Sequence, residues 1–202
     1  RPSANSGNQI QIGALSIANS TLTLSGGNNY SLRVAGTTTL NGGFANINTS
    51  SGQTHFLELA GVITGAATLN KFGGGTTTFG TVRISGNANT YTGGTTVHVG
   101  AVQVTATSGT PLGSGAVHVN PGAVLRIANN GSLAGTTTLN LNSNINSLAA
   151  LVLDTDYNPG TGLNSKIVVN GGFDAALQLA VPVWSAALNM ADYGNGRLFL
   201  GG

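Results

Sequence analysis

The chain has 202 residues, 40% of them hydrophobic and 6% charged, with a formal net charge of +2. An average soluble protein carries roughly 25% charged residues, so this is not a charged, disordered polymer; its seven basic groups (Arg1, Arg33, Lys71, Arg83, Arg126, Lys166, Arg197) are scattered along the sequence and form no stripe suited to a nucleic-acid backbone. Cysteine is absent, which excludes disulfides, thiolate metal sites and cysteine nucleophiles, and no apolar run approaches the roughly 20 residues of a membrane helix.

From the N-terminus, Arg1 to Ile10 is polar and has no apolar segment of a signal peptide, and the chain starts without Met. It reads as a mature or excised part of a longer chain. Strand-like pairs then follow one another: Thr38/Leu40, Leu57/Leu59, Thr76/Thr78, Val97/Val99, Val117/Val119 and Leu139/Leu141, at spacings of about 20 residues, within the repeat lengths of solenoids. A second series, Val102/Val104 and Leu125/Ile127, comes a few residues after members of the first. Each strand alternates inward apolar with outward polar side chains. The turns are written as Gly26-Gly27-Asn28-Asn29, Asn41-Gly42-Gly43, Gly73-Gly74-Gly75, Gly93-Gly94, Asn120-Pro121-Gly122 and Asn129-Asn130-Gly131, residues that accept positive φ at sharp corners.

This pattern predicts an all-β, parallel β-helix (β-solenoid): one domain over 1–202, of about nine coils, with two or three short strands per coil. At about 4.8 Å per coil the rod would be about 40–45 Å long. Residues 172–202 differ in texture. Leu177 to Trp184 is continuously apolar around Pro182, which opposes a helix, and the stretch reads as a terminal coil or cap.

Lys71, Gly73, Gly75, Thr76, Gly86, Asn89, Thr90, Tyr91, Gly93, Thr95, Val97, Gly100, Val102 and Val104 fall on one pattern of about 35 residues. That pattern is similar to the autotransporter-associated β-strand repeat of bacterial passenger proteins. The resemblance implies a right-handed β-helix, secreted and displayed on a bacterial cell surface. It brings no active-site residues. The chain departs from the pattern at Thr78 and Phe79, where the family prefers an aliphatic, and at the inserted Gly80 to Arg83.

Candidate chemistry is sparse. The acidic residues are Glu58, Asp154, Asp156, Asp174 and Asp192. Asp154 and Asp156, at i and i+2 on a strand, share a face and are the one pair able to act on a glycosidic bond or hold Ca²⁺; the stretch also reads, and reads better, as a strand entering a polar turn. His98 and His118, one period apart, are expected to stack about 4.8 Å apart on an outer face, where a pair of imidazoles can bind a metal or respond to pH. The threonine runs Thr37–Thr39, Thr76–Thr78, Thr95–Thr96 and Thr136–Thr138 recur at similar places, so their hydroxyls can form a stacked, glycan-binding face. The glycine runs are not phosphate loops, because no Gly-Lys-Ser/Thr opens a helix. No catalytic residue and no cofactor is assigned.

The two ends present strand edges without an evident polar cap, with Ile10, Ile12 and Ile17 at one end and Leu198 and Leu200 at the other. The expected partners are therefore a second copy stacked head to tail, or neighbouring domains of the same chain. The expected function is an extracellular stalk or self-assembling filament subunit and not an enzyme. The alternatives are an adhesin or glycan-binding module, with a cell-surface ligand, and a polysaccharide-active enzyme built on Asp154 and Asp156.

Overall fold

In the computed structural model the described residues are 8–25, 30–49, 56–74, 80–128, 136, 138–144 and 148–153, with the strands 166–170, 175–179, 188–190 and 198–201; side chains are described as far as residue 152. The chain winds into a parallel β-solenoid of two sheets, each of nine strands, as the sequence predicts. No helix occurs among the described residues.

The first sheet stacks β1 (Gln9–Ile12), β3 (Ser31–Val34), β5 (Phe56–Leu59), β8 (Thr81–Ile84), β10 (Gly100–Val104), β12 (Ala123–Ile127), β14 (Ala150–Leu153), β16 (Ala175–Leu179) and β18 (Leu198–Gly201). The second stacks β2 (Leu15–Leu24), β4 (Thr38–Thr49), β7 (Thr68–Phe72), β9 (Thr95–Val97), β11 (Val117–Val119), β13 (Thr138–Asn142), β15 (Lys166–Asn170) and β17 (Leu188–Met190), with β6 (Ile63–Gly65) on the first half of β4. Every pairing is parallel, so each strand neighbours its counterpart in the next coil. Residues 172–202, read as a coil or cap, supply β16, β17 and β18 to these same sheets.

Register explains the core. One column of the first sheet runs Ile10, Leu32, Leu57, Val82, Val102, Leu125, Leu151, Leu177, Leu200. From Leu57 to Leu151 its members are buried, each contributing about 1.5–3 kcal/mol. In the second sheet Leu69, Thr95, Val117 and Leu139 form one inward column, and Lys71, Val97, Val119 and Leu141 the next. Alternate residues point outward, as a period of two requires.

Three expectations on pattern are corrected. The coil length is not constant: it is 25 residues from Leu57 to Val82 but 20 from Val82 to Val102, because the corners differ in length. The 20-residue series therefore mixes faces. Thr38/Leu40 belongs to the second sheet and Leu57/Leu59 to the first, the inward partner of Val97 is Lys71, and Val99 sits at a corner, 48% exposed. Thr76 and Thr78 lie outside the described residues. About five turns are described, not the nine or so coils expected, since many corners also lie outside the described residues.

The turn expected at Asn41-Gly42-Gly43 is instead the interior of β4. Gly42 has φ +76° and faces Asn19, itself at φ 46°, which accepts a hydrogen bond from the Gly43 amide at 2.8 Å; the β2/β4 register shifts here. The Gly-Gly pair bends a continuous strand by a bulge.

Candidate functional site

The segment that carries the family resemblance supplies the buried polar side chains of Asn89, Tyr91 and Lys71. Asn89 is buried and spans three coils. Its Oδ1 accepts from the Ile63 amide at 2.7 Å, and its Nδ2 donates to Gly86 O at 3.2 Å and Pro111 O at 2.6 Å. Tyr91 is fully buried, with its hydroxyl 2.6 Å from Thr95 Oγ1, and burial pushes its pKa upward. Lys71 occupies an inward column otherwise filled by Val97, Val119 and Leu141. Its ammonium donates to Phe72 O at 2.8 Å, to Gly73 O, and to Val99 O at 3.3 Å, and burial lowers its pKa to about 8. Gly100, at φ +80°, leaves room for that ammonium, since a Cβ would run into Gly73 O and stand 2.9 Å from Nζ.

The outer face of the second sheet carries a chain of side-chain hydrogen bonds along the axis. Asn46 donates to Thr21 Oγ1 (3.3 Å), Asn70 to Asn46 Oδ1 (3.0 Å) and Asn142 to Asn120 Oδ1 (3.2 Å). His98 joins the two halves, with Nε2 3.3 Å from Asn70 Oδ1 and Nδ1 3.1 Å from Asn120 Nδ2. The chain is continuous when the neutral imidazole carries its proton on Nε2, so that Nδ1 accepts. Burial holds the His98 pKa below its ordinary value, in keeping with the neutral form.

His98 and His118 are not stacked. His118 lies in register with Thr96 and Asn140, while His98 neighbours Asn120, because the coil between them is 22 residues long. Among the described residues no group of three or more His, Asp or Glu can hold a metal. Asp154 and Asp156 lie outside the described residues. Among the described residues the threonine runs do not all face outward either. Thr38 and Thr95 point inward and are fully buried, in register with Ile63 and with Leu69 and Val117.

Ile10 and Ile12 lie on β1, the last strand of the first sheet, and Leu198 and Leu200 on β18 at its opposite edge; Ile17 lies on β2, the terminal strand of the second sheet, and is buried. Ile10 belongs to the core column yet is 56% exposed, because no described coil covers it.

One arrangement was invisible in the sequence. Gln11, Arg33, Glu58, Arg83, Gln103 and Arg126 are successive register partners on the outer face of the first sheet. Arg33 Nε is 3.2 Å from Glu58 Oε2 and its Nη1 donates to Gln11 at 2.9 Å; Arg83 Nε donates to Gln103 at 3.2 Å, with its guanidinium 4.2 Å over the Phe56 ring. Four of the five charged side chains described thus fall in one file. Varying coil length hides the alignment, which falls at spacings of 25, 25, 20 and 23 residues from Arg33 to Arg126.

The fold and these faces define a two-sheet parallel β-solenoid whose polar surface is organised along its axis. No protein-family model matches the chain, and no curated protein or solved structure matches it.

Proposed function

We propose that the chain is a structural β-solenoid of a bacterial cell surface, a stalk or a filament subunit that extends by adding coils at its ends. The observation that carries this reading is Ile10: a core-column residue that is exposed on a strand terminal among the described residues, whose apolar side chain a further coil would cover. Solenoid coils are stabilised chiefly by their neighbours, so an added coil continues both sheets and the core. The similarity of residues 71–104 to the autotransporter-associated repeat supports the extracellular, bacterial setting. The buried roles of Asn89, Tyr91 and Lys71 are consistent with a motif selected for stacking.

Light scattering of the purified full chain tests the filament form. Molar mass should rise with concentration, and Ile10→Lys, which puts a charge into the open core, should hold it at one chain. A constant single-chain mass for the unaltered protein would refute self-assembly and leave the stalk, in which neighbouring coils of a longer chain cover this end. Polysaccharide cleavage abolished by Asp154→Ala would overturn the structural reading altogether. The second reading, a glycan-binding adhesin, draws support from the arginine file.

A further inference from the structure

We propose that the outer face of the first sheet is a docking surface for a linear acidic polysaccharide, laid along the rod axis with its anionic groups on Arg83 and Arg126. The charged side chains described are Arg33, Glu58, Arg83 and Arg126, all in this one file, and Lys71, which is in the core. Three arginines against one glutamate leave the file at +2, whereas the side chains described on the outer face of the second sheet include no Asp, Glu, Lys or Arg. The columns beside the file run Phe56, Thr81, Ala101 and Val124 on one side and Ala60, Ser85 and Thr105 on the other.

Glu58 does not interrupt it. Its carboxylate is 16% exposed and held by Arg33 Nε, by Ser85 Oγ at 2.8 Å and by Gln9 Nε2 at 3.2 Å, so its charge is matched locally. Arg83 is fixed by Gln103 and by stacking on Phe56, which presents its planar fork in a set orientation.

Spacing selects the ligand. Arg33 to Arg83 and Arg83 to Arg126 are each two rungs, about 9.6 Å at the usual strand separation. Phosphates recur about every 3.4 Å along each strand of duplex DNA, so most would go unmatched. An extended glycan bearing one carboxylate per disaccharide repeats on the scale of two rungs. The inference stands apart from the assembly reading: it concerns the side of the rod and holds whether or not the ends associate.

The test measures binding of the full chain to immobilised hyaluronate, with dextran and a single-stranded polynucleotide as comparisons, at two salt concentrations. Hyaluronate should be retained and released by salt. Arg83→Gln and Arg126→Gln should each weaken binding roughly fivefold, and Glu58→Gln should tighten it roughly twofold. A doubly substituted Arg83→Gln/Arg126→Gln chain with unchanged circular dichroism that still binds equally would overturn the proposal. So would equal retention on dextran, or tighter binding to the polynucleotide.

Discussion

The ring of His98 lies flat against that of Phe72, centroids 4.3 Å apart and planes 4° from parallel, while its two nitrogens meet Asn70 and Asn120. The imidazole is thus a fixed, neutral link in an axial chain of amides. Its folded pKa lies below 6.5 because of burial, so the unfolded chain takes up the proton first. Its contribution to stability is present above pH 6.5 and is lost as pH falls through the lowered folded value. The melting temperature of the unaltered chain should therefore fall more steeply between pH 7 and 5 than that of His98→Asn, and parallel profiles would refute the assignment.

Lys71 makes the corresponding prediction at alkaline pH. Burial lowers its pKa from 10.5 to about 8, so stability should rise between pH 8 and 10.5, where the unfolded lysine holds a proton that the folded one has released. The gain from pH 7 to pH 9.5 should be about 2 kcal/mol. Tyr91 opposes this only above pH 10, where the unfolded phenol ionises before the buried one. Urea midpoints across this range should climb for the unaltered chain and stay flatter for Lys71→Met.

Asn89→Ala removes partners from the Ile63 amide and the Pro111 carbonyl in the coils on either side. Leaving such buried groups unmet should cost about 3 kcal/mol. Chemical denaturation showing a loss under about 1 kcal/mol would mean that these groups find other partners.

Thr38 offers the opposite sign. Its side chain is fully buried on β4, and Oγ1 has no hydrogen-bond partner among the described residues. Thr38→Val keeps the shape and removes the desolvated hydroxyl, so it should stabilise by about 1 kcal/mol. A lower melting temperature for this variant would contradict the placement.

The sequence made the class of fold legible because its signals are local. Alternation at Val102/Val104 and Leu125/Ile127 placed inward residues correctly, and both pairs are register partners in adjacent coils. Relationships between coils were not legible, because they depend on corner lengths that no strand pattern encodes. A 22-residue coil shifts His118 away from His98, and a 20-residue coil brings Gln103 beside Arg83. Lys71 in an inward column defies pattern for a related reason: three backbone carbonyls accept from its ammonium, and only the closed coil brings Val99 O to it.

The rungs stack along one axis into a rod. Electron micrographs of the native full chain, with diffraction from aligned specimens, test it most directly. Unbranched particles with a repeat of about 4.8 Å along their long axis are the predicted result. Compact particles with no axial repeat, or strands running parallel to the long axis, would contradict it.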